Sequence, residues 1–246
     1  MERNKVEMRI GIDASEVTAD FAGGKETVLM NLLKGLDEAG ENLVVFYNES
    51  AFEKIVNACP GAKMVSTGMN DRVFIWKLLK GFLFRTFKLP GLVRRAGIDV
   101  LLFPFPVTGL GTFDCPTVVI PHDIQYKSRP QRKKGWKVNT LGFFYRFDFN
   151  NRDAIVAISE YDNREIRKHF GKVACKVRKI YNPILFEKTL FRQREASKNY
   201  ILAINLMHAH KNPGVLIEAF ARVSDKRWDG KLVIAVKILI DNKNVA

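Results

Sequence analysis

Seven short apolar runs, separated by stretches with helical periodicity, constrain this chain more than any other feature of it. They are Met8 to Ala14, Leu43 to Tyr47, Met64 to Ser66, Val100 to Phe105, Thr117 to Pro121, Ala154 to Ile158 and Val177 to Tyr181. Strands that alternate with helices build βαβ units, and these close into a mostly parallel sheet with helices on both faces. The run Thr117–Asp123, TVVIPHD, marks where such a sheet would do chemistry. Its apolar part reads as a strand buried on both faces, and ligands of open α/β sheets bind beyond the carboxyl ends of the strands. His122 and Asp123 stand at that end.

The chain has 246 residues, 47% of them hydrophobic, which is ample for a packed core of one large or two small domains. Its formal net charge of +14 implies attraction to a polyanion: nucleotide phosphates, nucleic acid or an acidic membrane face. Cys59, Cys115 and Cys175 are widely spaced and odd in number, which suggests neither a disulfide framework nor a zinc site and fits a reducing cytosol. No apolar run has the length of a signal peptide or a membrane span, so the sequence reads as neither exported by that route nor membrane-spanning. No nucleic-acid-reading motif accompanies the charge, and nucleic acid is not expected as a partner.

After the first strand, Gly23 and Gly24 precede AGGKETVLMNLLKGL, whose Val28, Leu29, Leu32, Leu33 and Leu36 recur at helical spacing. Bare amides at a helix N-terminus favour an anion; a tight turn is the alternative, since neither GxGxxG nor GxxxxGKT is present. Residues 71–96 read as one long helix. On an ideal wheel Lys77, Lys80, Arg85 and Lys88 form a basic stripe, and Trp76, Leu78, Leu79, Phe82, Leu83 and Phe87 an apolar arc. Trp76, Lys77, Lys80, Arg85 and Lys88 are therefore candidates for a membrane surface, the alternative being a core helix with a solvated basic face. A second basic cluster, Lys127 to Lys137 around Trp136, would add to that surface.

The strand AIVAIS ends at Ser159, which with Asp162 forms an acidic variant of the capping box, and Gly171 is expected to close the helix that follows. Ser159 is thus a cap rather than a nucleophile, with no GxSxG elbow around it. Asn182, after the next strand, is a turn residue or a ligand contact. Residues 184–198 read as a linker between a first domain over 1–183 and a second over 199–246. In the second, YILAIN is a strand, His208 and His210 lie in its exit loop, and Asn212 and Pro213 open a helix. That helix is expected to turn Val215, Leu216, Ala219, Phe220 and Val223 inward. Lys211 stands beside its N-terminus, a second natural phosphate site. With no acidic or cysteine partner near the two histidines, no metal is expected.

Four landmarks in order, AGGKETVLMNLLKGL, VVIPHD, IVAISEYDNREIRKHFG with KIYNP, and YILAINLMHAHKNPGVLIEAF, make residues 8–236 resemble the family-4 retaining glycosyltransferases of GT-B fold. The resemblance implies two Rossmann-like domains around a cleft, a nucleotide-sugar donor, a saccharide or lipid-linked acceptor, and no metal cofactor. By that resemblance Gly23 and Gly24 approach the donor diphosphate, His122 and Asp123 face the transferred sugar, and Asn182, His210 and Lys211 belong to the donor site. It also implies a cytoplasmic protein peripheral to the inner membrane face.

Departures accompany it. Asn205 and Leu206 occupy places where many members carry a Gly-Arg pair, and no glutamate follows Glu218 to supply the family's paired glutamates. Glu41 with Glu49 and Glu187 with Glu195 share that pair's spacing but lie in the first domain and the linker. The second domain is therefore expected to be an incomplete Rossmann-like domain, with an impaired or inactive donor half. It is expected to expose Leu216, Phe220 and Ile234.

Overall fold

A computed structural model describes residues 8–20, 23–69, 80–122, 124, 136–184, 199–204, 211–224 and 230–235; of residues 136–141 only the backbone is described. The chain divides into two compact units, Met1–Leu185 and Phe186–Ala246.

The first unit is built on the expected sheet. Its strands are β1 (Arg9–Ala14), β2 (Asn42–Tyr47), β3 (Lys63–Ser66), β4 (Val100–Phe103), β5 (Thr117–Val119), β6 (Ala154–Ala157) and β7 (Val177–Lys179). All seven run parallel in the order β3-β2-β1-β4-β5-β6-β7. Connection reverses direction between β1 and β4, and at such a switch point the flanking loops part to leave a crevice. The central strands β1 and β2 bury nearly every side chain, which is why they read as continuous rather than alternating apolar runs.

Two apolar clusters fill the unit. One joins Ile12, Leu29, Leu33, Val45 and Ile55, from β1, β2 and the helices α1 (Gly24–Glu38) and α2 (Phe52–Ala58). The other joins Phe46, Leu89, Phe103, Phe149, Ile155 and Ile166, from strands and from α3 (Leu89–Ala96), α4 (Trp136–Asn151) and α5 (Glu160–His169). Gly11 lets the turn before β4 close on β1, since a Cβ there would stand 2.9 Å from the Ile98 side chain.

Ser159 caps α5 as the sequence indicates, its Oγ accepting the Asp162 amide at 3.0 Å. Replacing it with alanine leaves that amide unpaired, and thermal unfolding should show a loss of about 1 kcal/mol. The helix stops at His169, and Gly171 opens a 3₁₀ turn (Gly171–Lys176) instead of ending the helix itself.

The segment before α3 departs from an ideal helix. Phe84–Lys88 form a π turn, closed by the Leu89 amide on the Phe84 carbonyl. Such a turn inserts one residue and resets the helical phase. The inward row Gly81, Phe84, Arg85 would continue at Lys88 in a regular helix; here it continues at Leu89, Val93 and Ala96. One expectation is thereby corrected: Arg85 is not part of an exposed basic stripe but 4% exposed. Of the apolar arc, Leu83 and Phe87 are 43% and 75% exposed. Lys80 and Lys88 are exposed as expected, while Trp76, Lys77 and the cluster from Lys127 to Lys134 lie outside the described residues.

In the second unit β8 (Tyr200–Ile204) and β9 (Lys231–Ala235) pair in parallel, and a helix, α6, spans Pro213–Ser224. Ile234 is exposed, whereas Leu216 and Phe220 are half-buried. Val215 and Val223, expected inward, are more than half exposed. The paired strands number only two among the described residues, too narrow a sheet to cover a full helix face.

Candidate active site at the carboxyl edge of the sheet

The exits of β1, β4, β5 and β7, together with the N-terminus of α1, share the carboxyl edge of the seven-stranded sheet. Gly23, Gly24, His122 and Asn182 all stand on that edge. Asp123 and His210 lie outside the described residues, and Lys211 is an exposed residue of the second unit, next to Asn212 at a left-handed φ of 52°.

Gly23 takes φ 121°, ψ −171°, a conformation open to glycine, and no side chain caps α1. The amides that open the helix are therefore available to an anion, as the dipole favours. A Cβ on either glycine would meet nothing within 4 Å, so there is room for a ligand to approach the backbone. The Asn31 amide donates to the Pro183 carbonyl at 3.1 Å, which fixes the exit of β7, and Asn182 with it, beside α1.

His122 occupies the left-handed region at φ 59°, unusual for any residue but glycine. Its Nε2 lies 2.8 Å from the Pro104 carbonyl oxygen, and its ring stacks on Phe105 at 5.8 Å. A carbonyl only accepts, so Nε2 carries the proton, and the exit of β4 fixes both the tautomer and the plane of the ring. Strained backbone of this kind gathers where surrounding structure holds a side chain in place for a task.

Two buried polar networks brace the crevice, and sequence reasoning missed both. In the first, Arg85 Nε donates to Asp13 Oδ2 at 2.6 Å, its Nη2 to Ser15 Oγ at 3.2 Å and its Nη1 to the Val107 carbonyl at 3.4 Å. Nη1 is also 2.8 Å from Glu16 Oε1, a carboxylate about one-third exposed at the crevice. Burial opposes the charge on Arg85, but Asp13 and Glu16 outweigh it and hold the guanidinium above its ordinary value. The signal for this network was Asp13 itself: a carboxylate inside an apolar strand demands a buried cation.

The second network holds the loop after β4. Asp148 accepts the Val107 amide at 2.6 Å, the Thr108 amide at 3.2 Å and the Thr108 hydroxyl at 2.6 Å. Arg152 donates to Thr108 Oγ1 at 2.9 Å and to the carbonyls of Gly109 and Gly111 at 3.2 and 3.3 Å, with its guanidinium over Phe103. Burial raises the Asp148 carboxyl and lowers Arg152. Gly111 fits tightly on the π turn, since a Cβ there would come within 2.5 Å of the Arg85 carbonyl oxygen. Val107, at φ 69°, sits between the two networks and is bonded to both.

The three cysteines are free thiols, and burial pushes Cys59 up to about 12, which leaves it unreactive. Among the described residues no three histidine, cysteine or acidic side chains converge on a metal position, and no helix is long and apolar enough to cross a membrane.

The sequence model of the family described as Glycosyltransferase Family 4 matches residues 22–187, more than half of the chain. No curated protein sequence matches it. Among solved structures, that of WaaG, a glycosyltransferase involved in lipopolysaccharide biosynthesis, is similar with a TM-score of 0.58 at 13% identity, over 92% of this chain and 62% of that one. The lipopolysaccharide outer core galactosyltransferase WaaB in its apo form gives 0.51 at 15% identity, over 93% and 60%. The S. aureus MnaA–UDP structure gives 0.56 at 13%, over 94% and 62%. At these identities the likeness is one of fold, and the chain spans about 60% of the length of the structures it matches.

Proposed function

The chain belongs to Glycosyltransferase Family 4, and from that premise we propose that it transfers a sugar from a nucleotide-sugar donor to a saccharide or lipid-linked acceptor during synthesis of a cell-surface glycan. The observation that carries this reading is the family match over residues 22–187, laid on a sheet whose strand order reverses between β1 and β4. In the proposed reaction the amides of Gly23 and Gly24 stabilise charge on the departing nucleoside diphosphate, as preorganised dipoles do. His122 faces the transferred sugar, its ring set by Pro104 and Phe105. Asp123, Asn182, His210 and Lys211 complete the proposed site, which uses no metal.

The exposed ridge of Lys80, Leu83, Phe87 and Lys88 supports a location in the cytoplasm against the inner membrane face. A second reading, a non-catalytic module that holds an acceptor or an anionic membrane, is favoured by the same exposed ridge of lysines and apolar side chains.

Calorimetric titration with UDP, the nucleotide in the MnaA structure, with GDP, and with their sugars separates the two readings. Saturable, base-selective binding supports the transferase. Binding no tighter than that of free diphosphate supports the module. Where transfer is measurable, His122→Asn, which tolerates the left-handed backbone, should lower its rate by about 10²-fold. An unchanged rate removes His122 from the reaction.

A further inference from the structure

A groove of about 410 Å³ lies between the turn after β3 and the π turn, and its lining includes Met69, Lys80, Leu83, Phe84, Phe87 and Lys88. Its make-up is unusual for a solvated surface. Met69 and Phe84 form a buried apolar floor, and Leu83 and Phe87 stand exposed along it. Lys80 and Lys88 are both exposed, and neither has a hydrogen-bond or ion-pair partner among the described residues. The neighbouring acid Glu49 accepts from the Ser66 hydroxyl and forms no ion pair with either lysine among the described residues. The π turn creates this arrangement, because it sends Arg85 to the interior and presents Phe87 and Lys88 on the outer face.

Two exposed cations beside a concave apolar surface, with no ion-pair partner among the described residues, complement a molecule that carries an anion and a hydrocarbon chain together. A sugar or nucleotide would leave the apolar lining uncovered, and a neutral lipid would leave both ammonium groups without a counter-charge. The volume suits a single small molecule; a protein partner of ordinary size would cover about 800 Å² of surface.

We propose that this groove seats one anionic phospholipid, its headgroup phosphate held by Lys80 and Lys88 and its acyl chain laid against Met69, Leu83 and Phe87. The proposal rests on the membrane-face reading above and deepens it from adsorption to a defined lipid site.

Calorimetric titration of the full chain with dihexanoyl phosphatidylglycerol, kept below its micelle concentration so that no bilayer forms, tests it. Dihexanoyl phosphatidylcholine and inorganic phosphate are the controls. The expected result is saturable binding of one phosphatidylglycerol per chain, at least about tenfold tighter than phosphatidylcholine, with no binding of phosphate at the same concentration. Lys80→Gln with Lys88→Gln should weaken it about 25-fold, roughly fivefold for each lysine. Phe87→Ser should weaken both lipids, and all these positions are exposed enough for the fold to survive.

Equal binding of the two lipids, equal binding of phosphate, an unaffected lysine double variant, or no saturable binding would each overturn the proposal. The readout needs no sugar transfer. A chain that binds the lipid but no nucleotide sugar contradicts only the transferase reading, and a chain that adsorbs to anionic vesicles without binding the monomeric lipid contradicts only the seat.

Discussion

Arg85→Met is expected to destabilise the first unit by about 3–5 kcal/mol, whereas Lys88→Met, on the outer face of the same π turn, should stay within about 0.5 kcal/mol of the parent. The two residues look alike in the sequence, and the difference arises from what each leaves behind. Methionine can fill the space of the arginine stem, but it strands Asp13, which is 1% exposed, beside Ser15 with its counter-charge gone. It also releases the Val107 carbonyl and Glu16 from their shared donor. Urea unfolding followed by far-ultraviolet circular dichroism measures both losses. The double variant Asp13→Asn/Arg85→Met should recover part of the stability, because the stranded charge is then removed. A loss below about 1 kcal/mol for Arg85→Met would mean that Asp13 reaches solvent or another partner.

That contrast also shows where the sequence is readable and where it is not. The inner strands such as β2 and β4 were legible because burial on both faces writes itself as runs of Val, Leu and Phe, a signal local to each run, and the short edge strands β3 and β7 followed from the alternation with helices. The cap at Ser159 was legible for the same reason: donor and acceptor are three residues apart. The π turn was not. Its single inserted residue has no compositional mark, yet it takes Arg85 off the exposed stripe where an ideal wheel places it. The left-handed backbone of Val107 was equally hidden, since a β-branched residue is the last expected there.

Of the candidate site, the glycines before α1 and the histidine after β5 could be placed because each follows a strand. What braces them could not, because Asp13 meets Arg85 and Thr108 meets Asp148 across large gaps in sequence that only the topology closes. The one local clue was a lone carboxylate in an apolar run, where the strand itself offers only Arg9, four residues away and donating to the Ala96 carbonyl instead.

Asp148→Asn should remove about 2–3 kcal/mol at neutral pH, and the gap from the parent should widen as the pH is lowered. The loss at neutral pH follows from hydrogen bonding. The parent carboxylate accepts from two amides and a hydroxyl, while asparagine brings one acceptor oxygen and an amide group that faces those donors with further N–H bonds. Arg152, buried alongside, loses the stronger of its two charge partners and keeps only Asp153.

The pH dependence follows from the direction of the Asp148 shift, which is upward and caused first by burial. A carboxyl raised in the folded state binds its proton more tightly there than in the unfolded chain. Its contribution to stability is therefore fully present below the unfolded value, near 3.8, and is lost as the pH rises through the folded value. Acidification toward 3.8 strengthens the parent by this route, and asparagine, having no proton to bind, gains nothing. Other carboxylates titrate in both proteins and cancel in the difference. Urea midpoints measured for both chains across that interval test the claim directly. If the gap narrowed on acidification, the folded protein would be holding Asp148 as a stabilised anion, with Arg152 and the loop amides outweighing its burial.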